Sequence, residues 1–369
     1  MSIVSGGQLW TVRCQAPSRA TRDARVHSES STIAMTAASA LAAPPPSTLD
    51  ALARAALASY PASYQGEVSL LSLSENATYL VRTAVGDRFV LRIHRPDYHS
   101  ERAVRSELAW LAALKSAAIK VPEALPGSNG DLLQHASAAG LSTRMAVLFS
   151  WIEGHEPDAQ ENLEASFERL GAINARLHLH ARGWARPDGF ERPTWNHQTM
   201  LGEGAHWGDW RHAPHLQARH HGLIEATIAV IGAQLQAYGQ GAARFGLIHA
   251  DLRLANLLVD AEHTRVIDFD DCGIGWYLHD LASALSFHEH HAAVPVWIAH
   301  WLRGYGSVAS LDQADLDIIP ALLVQRRLQL LAWTGTHSDT QLALGLGADW
   351  VAQTLPLCRD YLDGRLNFA

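Results

Sequence analysis

LIHADLRLANLLVDAEHTRVIDFDD, residues 247–271, is the stretch that decides the fold. Asp251, Asn256 and Asp268 stand out in it, because Asp and Asn are poor strand formers and here they border two short apolar runs. An acid, an amide and a second acid at this spacing require a chemical explanation. Their oxygen atoms are the ligands that a hard cation prefers.

The stretch predicts a β-hairpin. Two apolar runs flank a polar segment, residues 260–264, which is typical of a turn between two strands. With a four-residue turn centred between residues 262 and 263, Leu257 lies opposite Asp268. Asn256 and Asp268 are then neighbours at the open end of the hairpin, and Asp251 lies in the loop that leads into it. Mg²⁺ keeps several waters and takes only one or two protein carboxylates, so this small ligand set is sufficient.

The order of the motifs is a second observation. His249–Asn256 has the spacing of the protein-kinase catalytic loop H-R-D-L-x-x-x-N, and Asp268-Phe269-Asp270 follows where kinases have D-F-G. Asp280-Leu281-Ala282 lies further downstream. These motifs resemble the kinase-like phosphotransferase family that contains aminoglycoside phosphotransferases, choline kinases, type II homoserine kinases and the bacterial stress-response kinase. Ala250 and Arg253 stand where that family has glycine and histidine.

The resemblance implies transfer of the γ-phosphoryl group of ATP or GTP to a hydroxyl, with ATP and Mg²⁺ as the expected cofactors. It implies that Asp251 accepts or orients the hydroxyl proton, and that Asn256 and Asp268 hold Mg²⁺ on the phosphates. Arg253 stands where protein kinases carry a cation near the γ-phosphate, so we assign it to charge that develops in the transition state. His249 is expected to orient the loop by a hydrogen bond.

A nucleotide-binding region is expected upstream. Residues 72–81, "SLSENATYLV", resemble the family's nucleotide-covering loop as it enters a strand, although they lack the glycines of a protein kinase. On this resemblance Ser74 and Asn76 are expected to bind the nucleotide. Further along, "AVLFSWIEG" resembles the strand and hinge that join two lobes, and "RLGAINARLHLH" resembles the long helix after the hinge.

An arginine stands in place of the lysine that kinases use on the phosphates. Residues 88–96 alternate apolar and polar side chains, which predicts a half-buried strand that carries Arg92. Residues 100–116 have apolar side chains at helical spacing, with Glu107 in the second turn. By resemblance to the kinase pair of a strand lysine and a helix glutamate, Arg92 is expected to neutralise the α- and β-phosphates and Glu107 to hold it.

Lysine usage restricts the alternatives. Lys115 and Lys120 are the only lysines among the 29 Lys and Arg residues. Neither follows a glycine, which excludes a P-loop. A competing interpretation of "VIDFDD" is the aspartyl-phosphatase pattern, in which a carboxylate is the nucleophile. That class needs a downstream lysine and none follows Asp268, so it remains a distant alternative.

Length and composition predict the domain organisation. At 369 residues the chain exceeds what one core usually supports, so two lobes are expected. Residues 1–48 are rich in Ser, Ala and Thr and end in "APPPS", which predicts a disordered leader. The predicted fold is α+β, bilobal and protein-kinase-like. A small antiparallel-sheet N-lobe occupies residues 49–149, and a mostly helical C-lobe with the catalytic loop and acceptor site occupies residues 150–369.

Charge and cysteine content limit the partners. A formal charge of −8 gives no support to nucleic-acid binding. No stretch has the apolar length that a membrane span needs, so no membrane association is expected. Three cysteines without metal-binding or redox spacing suggest a reducing compartment, and we expect a cytoplasmic enzyme. The 21 histidines lack a regular ligand spacing, so zinc is the less favoured metal.

The sequence leaves the acceptor open. A small-molecule hydroxyl is expected, on an amino alcohol, an amino sugar or a homoserine-like compound. A protein serine/threonine kinase of the stress-response type and a nucleotide-binding pseudokinase module are the alternatives. Residues 192–238 are expected to supply acceptor contacts. Trp195, Trp207 and Trp210 could cage an ammonium group by cation–π contact, although core packing is the stronger interpretation.

Overall fold

The computed structural model describes residues 46–73, 76–158 and 160–366. All of them belong to one compact unit, Pro44–Ala369. The predicted leader, residues 1–48, lies outside the described residues as far as residue 45, and its last three residues instead form the first turn of a helix. Ser74 also lies outside the described residues.

A sheet region comes first in the chain and a helical region follows. The strands are β1 Gly66–Leu73, β2 Ala77–Thr83, β3 Arg88–Ile93, β4 Ala124–Leu125, β5 Gln134–Ala136, β6 Arg144–Ser150, β7 Thr194–Trp195, β8 Phe245–Ile248, β9 Leu257–Val259, β10 Thr264–Val266 and β11 Gly273–Trp276. The helices are α1 Pro46–Leu57, α2 Glu101–Ser116, α3 Glu164–Gly183, α4 His197–Leu201, α5 His221–Tyr238, α6 His279–Ala284, α7 Val294–Gly306, α8 Gln313–Asp317, α9 Ile319–Thr336 and α10 Gln341–Leu362. None of the described helices has both the length and the hydropathy that a bilayer crossing requires.

The sheet is antiparallel, as the sequence predicts. Its strands have the order β1-β2-β3-β6-β4, and β5 also pairs with β6. β2 buries every second residue, including Tyr79 and Val81, which is the period of a strand with one covered face. Helix α1 covers that face through Leu52 and Ala56, so residues close to the predicted leader belong to the core of the sheet region.

β3 is more buried than the half-buried strand expected from its alternating pattern. Leu91, Arg92 and Ile93 are all buried, because β3 lies between β2 and β6 in the centre of the sheet. Leu91 packs in the same cluster as α1. Arg92 reaches α2, where Glu107 meets it, so a charged side chain is buried at the centre of a sheet.

Helix α2 begins where the sequence predicts it. The Ser100 side chain accepts a hydrogen bond from Ala103 N at 3.0 Å and caps the helix. Val104 and Leu108 lie on its buried face, and Glu107 lies on that face in the second turn. A buried carboxylate needs a charged partner, which the sheet provides in Arg92.

Closely packed helices form the second region. Helices α3 and α7 approach through two glycines. A Cβ atom on Gly171 would lie 2.0 Å from the Trp301 carbonyl oxygen, and one on Gly304 would lie 1.8 Å from the Glu168 carbonyl oxygen. Helix α9 is buried along most of its length, and its buried residues include charged ones that need partners inside the protein.

The hairpin of β9 and β10 forms, but the predicted register is wrong. Leu257 pairs with Val266 instead of Asp268, a shift of two residues. The shift arises because the Asp260 side chain accepts hydrogen bonds from two backbone N–H groups of the turn, at 2.9 and 2.8 Å, and closes a tighter turn. A shift of two residues keeps every side chain on its face of the ribbon.

Candidate active site

Hydrogen bonds within the catalytic loop join two of the predicted site residues. β8 ends at Ile248, and residues 249–253 lead into a 3₁₀ turn, Leu254–Asn256. The Asn256 amide nitrogen donates to the Asp251 carbonyl oxygen at 2.7 Å and to Asp251 Oδ2 at 2.9 Å. The structure therefore brings Asp251 and Asn256 together, in agreement with their spacing in the sequence.

Asp280 holds the start of this loop. It is fully buried and accepts hydrogen bonds from the backbone N–H groups of Ala250 and His249, at 2.8 and 3.2 Å. His178 Nε2 lies 3.0 Å from the same carboxylate. Burial alone would raise the pKa of Asp280, but His178 and the loop N–H groups hold that pKa below its usual value. Asp280 is therefore a buried anion that orients the catalytic loop.

Ala250 shows why the family pattern has glycine at this position. Its φ is 70°, in the left-handed region that favours glycine. Its N–H donates to Asp280, and its carbonyl oxygen accepts a hydrogen bond from Ser283 Oγ at 2.7 Å. These bonds hold a residue with a side chain in a conformation that costs about 1–2 kcal/mol.

His249 is placed to orient the loop, as expected. Its Nε2 lies 3.0 Å from the Ile267 carbonyl oxygen, and its Nδ1 lies 3.3 Å from Asp251 N. Burial lowers the pKa of His249, so the ring is neutral near pH 7. Nε2 then donates to Ile267 and Nδ1 accepts from the Asp251 N–H.

Two arginines hold the Asp251 carboxylate. Arg326 Nη2 donates to Asp251 Oδ1 at 2.5 Å, and Arg253 Nε donates to Asp251 Oδ2 at 3.3 Å. Burial alone would raise the pKa of Asp251, but the positive charges of Arg326 and Arg253 hold that pKa below its usual value. Asp251, with a side chain 16% exposed, is thus an oriented anion near pH 7.

Arg92 and Glu107 form a buried ion pair. Both Glu107 oxygens accept hydrogen bonds from Arg92 Nη2 at 2.7 Å. Burial raises the pKa of Glu107, and Arg92 opposes that rise. Burial also opposes the charge on Arg92, but Glu107, Asp270 and Asp268 together raise the pKa of Arg92. The contact expected between Arg92 and Glu107 is therefore present, and their role in phosphate binding stays a prediction.

Asp268 lies beside this pair and is partly exposed. Its Oδ1 is 3.5 Å from Arg92 Nη1, and its side chain is 46% exposed. Partial burial and the negative charges of Asp270 and Asp251 raise the pKa of Asp268, and the positive charge of Arg92 opposes that rise. Negative charge accumulates here, and a divalent cation would relieve it.

The oxygen donors fit a divalent cation whose coordination is completed by phosphate. Asn256 uses its amide nitrogen on Asp251, so the amide oxygen is the atom that it offers to a cation. Asp268 offers a carboxylate oxygen. In the part of the chain that the structure describes, no group of three or more His, Cys, Asp or Glu side chains could hold a metal ion. Proteins commonly bind Mg²⁺ through one or two of their own ligands together with phosphates and water.

Asp270 anchors the loop that follows Asp268. It is buried, and Asn76 Nδ2 donates to its Oδ2 at 2.8 Å. Burial would raise the pKa of Asp270, but Arg92 and two neighbouring histidines hold that pKa well below its usual value. Asn76 Oδ1 accepts from Arg95 N at 3.2 Å, so both ends of this amide are used within the protein. This geometry favours a supporting role for Asn76 over the nucleotide contact expected from the sequence.

Arg192 is a site residue that sequence reasoning missed. It is buried and donates to three backbone carbonyl oxygens, those of Ala103 at 3.0 Å, Cys272 at 2.5 Å and Asp270. It ties the first turn of α2, the helix of Glu107, to the loop after Asp268. No local pattern around Arg192 indicates these contacts, because all three partners are distant in the sequence.

Aromatic side chains connect a further carboxylate to Asp251. Tyr98 OH donates to Asp271 Oδ1 at 2.5 Å, and Trp207 lies near Tyr98. The Trp207 ring also lies 5.0 Å from the guanidinium carbon of Arg326, which holds Asp251. Trp207 therefore lies between the groups that hold the two carboxylates.

The three tryptophans of the expected acceptor segment are buried in the core, in agreement with the stronger interpretation. Trp195, Trp207 and Trp210 all belong to the large hydrophobic cluster. Trp195 Nε1 donates to the Asp271 carbonyl oxygen at 2.8 Å, and its ring centroid lies 5.6 Å from that of Trp207. Their packing holds Asp271 and Tyr98 in place.

Known proteins share this arrangement of sequence and fold. The model of the family described as "Phosphotransferase enzyme family" matches residues 68–317. An amicoumacin kinase from Bacillus subtilis (strain 168) is 24% identical over 272 residues, which are 71% of this chain and 78% of that protein.

Solved structures show the same fold. The microcompartment-associated aminopropanol kinase is 39% identical, with a TM-score of 0.79, and the match covers 86% of this chain and 99% of that chain. An amicoumacin kinase in complex with AMP-PNP, Ca²⁺ and Ami is 19% identical, with a TM-score of 0.66 and coverage of 85% and 92%. At that lower identity the likeness is evidence for the fold alone.

Proposed function

The chain belongs to the phosphotransferase enzyme family, and on this premise we propose that it transfers the γ-phosphoryl group of ATP to the hydroxyl group of a small amino alcohol. The membership confirms the kinase-like α+β fold and the phosphotransferase activity that the sequence predicts. ATP and a divalent cation are supported as cofactors by the related amicoumacin kinase, whose structure holds AMP-PNP and Ca²⁺. One observation carries the proposal. The catalytic loop and the Arg92–Glu107 pair are assembled in a chain that is 39% identical to an aminopropanol kinase over 99% of that kinase.

The catalytic roles follow from the contacts. Asp251 is held as an anion and orients the acceptor hydroxyl toward the γ-phosphate. Asn256 and Asp268 hold the divalent cation, which neutralises charge on the phosphates when bound. Arg253 lies against Asp251 and is partly exposed, so its free N–H groups are placed to stabilise charge on the transferred phosphoryl group.

Phosphate binding is assigned to the buried pair. Arg92 is fixed by Glu107 and lies 3.5 Å from Asp268 at its nearest approach, so its positive charge lies beside the proposed cation ligand. A buried arginine loses less conformational freedom on binding than an exposed one would, because its side chain is already fixed. This supports Arg92 as the group that neutralises the α- and β-phosphates.

The acceptor class is supported by a carboxylate on the loop that follows Asp268. Asp271, fixed by Tyr98, supplies negative charge. A carboxylate suits a primary ammonium group. Two of the relatives are kinases named for aminopropanol and amicoumacin.

The proposal is tested by turnover of Mg²⁺-ATP with a panel of acceptors. Aminopropanol, ethanolamine, choline, homoserine, an aminoglycoside and propanol form the panel, and propanol is the matched alcohol without an amino group. We expect turnover with a small amino alcohol and at least about tenfold lower kcat/KM with propanol, since an ammonium–carboxylate contact is worth more than about 1.4 kcal/mol. Equal turnover of propanol and aminopropanol would contradict the amino-alcohol assignment.

The role of Asp251 is tested in the same assay. Asp251→Asn is nearly isosteric and loses the charge, so we expect kcat to fall by at least about a hundredfold while ATP affinity changes by less than about fivefold. A parallel loss of ATP affinity would place Asp251 in the nucleotide site. Tight ATP binding by the wild type without turnover of any acceptor would favour a pseudokinase module.

A further inference from the structure

Arg326, a buried residue of α9, donates a hydrogen bond to the catalytic loop. It lies beyond residues 68–317, the part of the chain that the family model matches. Its side chain is 1% exposed. Besides the 2.5 Å bond to Asp251 Oδ1, it donates to Ser286 Oγ at 2.9 Å and to Gln329 Oε1 at 3.1 Å. A weaker contact of 3.5 Å reaches the Ala250 carbonyl oxygen.

We propose that Arg326 is a positioning residue for phosphoryl transfer, which acts by fixing the Asp251 carboxylate toward the acceptor hydroxyl. This inference rests on the proposed function. Arg326 itself is held on several sides, by Ser286, by Gln329 and by the Trp207 ring, so its position is determined by the fold.

The division of contacts on the Asp251 carboxylate explains the need for Arg326. Oδ1 is held by Arg326, and Oδ2 is held by Asn256 at 2.9 Å and by Arg253 at 3.3 Å. Contacts on Oδ2 alone restrain one oxygen and leave the carboxylate with residual freedom to rotate about its Cβ–Cγ bond. The Arg326 contact on Oδ1 removes this freedom. A misplacement of about 1 Å at a reacting group can cost on the order of a hundredfold in rate.

Arg327 is a matched control in the next position of the same helix. It is also fully buried, but it donates to Glu289 Oε2 at 2.7 Å, to Thr354 Oγ1 at 2.8 Å and to the Trp350 carbonyl oxygen at 3.0 Å. These partners are on other elements of the helical region and none belongs to the catalytic loop. Loss of Arg327 should therefore reduce stability without displacing Asp251.

The main experiment compares Arg326→Met, Arg327→Met, Asp251→Asn and the double variant Asp251→Asn with Arg326→Met, each as full-length protein. Apo melting, the KM for ATP and kcat with the preferred acceptor are measured below the melting range. We expect Arg326→Met to lower kcat by about 10–100-fold with the KM for ATP changed by less than about threefold. Arg327→Met should lower the melting temperature and leave kcat within about threefold.

Coupling between Arg326 and Asp251 separates a positioning role from a structural one. If Arg326 acts through Asp251, the double variant should have a kcat within about threefold of that of Asp251→Asn alone. Additive losses would overturn the inference. So would equal kcat losses in Arg326→Met and Arg327→Met.

Two further measurements keep the test decisive if Arg326→Met folds poorly. Arg326→Lys retains the charge but not the planar fork, so we expect a folded protein with kcat still at least about fivefold reduced. Millimolar guanidinium should raise the kcat of Arg326→Ala and not that of Arg327→Ala. An Arg326→Lys variant with wild-type kcat would overturn the inference, and no wild-type turnover across the acceptor panel would overturn the proposed function and this role together.

Discussion

Asp251 and Asp268, two aspartates of the candidate site, differ in their electrostatic surroundings. Asp251 is enclosed by Arg326 and Arg253, which hold its pKa below the usual value. The pKa of Asp268 is raised, first by partial burial and then by the negative charges of Asp270 and Asp251. Two carboxylates whose pKa values are shifted in opposite directions can take different roles in one site. In the proposed reaction, Asp251 is a fixed anion that would orient the acceptor, and Asp268 is an anion whose charge a bound cation would relieve.

The metal role of Asp268 predicts a selective effect of Asp268→Asn. Because the side chain is 46% exposed and its negative neighbours disfavour its charge, removal of that charge should leave the apo melting temperature within about 2 °C of the wild type. The extra stabilisation that Mg²⁺ adds to nucleotide binding should be lost, since a carboxylate ligand is gone. Thermal melts of the apo protein, with ATP alone and with Mg²⁺-ATP, measure both quantities.

Asp270→Asn is the control for that experiment. Asp270 is buried and held by Asn76, so this variant should lower the apo melting temperature. A large apo destabilisation by Asp268→Asn, with the response to Mg²⁺-ATP retained, would show that Asp268 is a structural residue.

At the scale of elements, the catalytic loop is oriented by two helices that meet at Asp280. Asp280 belongs to α6. Its carboxylate accepts a hydrogen bond from Asn174 Nδ2 at 3.3 Å, and His178 Nε2 lies 3.0 Å from the same oxygen; both of these residues belong to α3. The same carboxylate receives the N–H groups of Ala250 and His249. The close approach of α3 and α7 at their glycines helps to fix α3 in this position. Helix packing therefore determines where Asp251 lies.

This arrangement predicts a pH-dependent effect of Asp280→Asn. The folded-state pKa of Asp280 is lowered, so its contribution to stability is present above the ordinary aspartate pKa and is lost as the pH falls through the lower folded pKa. At pH 7 we expect Asp280→Asn to reduce the free energy of unfolding by about 2–4 kcal/mol, because a buried charge-assisted network is broken. The difference from the wild type should shrink below about pH 4.

Denaturant unfolding at a series of pH values measures that difference. Asp349→Asn is the control, since Asp349 is an exposed aspartate of α10. A difference between wild type and Asp280→Asn that stays constant from pH 7 to pH 3 would contradict the role assigned to the charge.

At the scale of the whole molecule, α1 belongs to the core of the sheet region. Leu52, Ala53 and Ala56 are fully buried in the same cluster as Tyr79 and Val81. The compact unit begins at Pro44, just before this helix. The functional part of the chain therefore includes α1 but is not expected to need the residues that precede it.

Two truncations test this boundary. Removal of residues 1–43 should leave the melting temperature within about 2 °C and turnover unchanged. Removal of residues 1–57 should lower the melting temperature by more than about 5 °C or prevent folding, because each buried leucine contributes about 1.5–3 kcal/mol. Differential scanning calorimetry and turnover measure both effects. Destabilisation by the shorter deletion would show that residues 1–43 pack against the unit.

Local patterns in the sequence were sufficient to predict helix α2, strand β3 and part of the site. The capped helix that carries Glu107, the strand that carries Arg92 and the spacing from Asp251 to Asn256 are all present in the structure. These features depend on residues within one turn, strand or loop, so hydrophobic period and motif spacing encode them. The family resemblance, which joins these local motifs, was sufficient for the fold class and the type of reaction.

The tertiary structure alone decided the rest. Arg326 meets Asp251 across 75 residues, and Arg192 meets Asp270 across 78, and no periodic pattern records such contacts. The hairpin register could not be read from alternation, since a slip of two residues leaves the same faces buried. Local sequence was sufficient to predict Asp251, Asn256, Asp268, Arg92 and Glu107 as candidates for phosphoryl transfer. Packing of distant helices determined how they are held, because a buried arginine has no partner until the whole chain has folded around it.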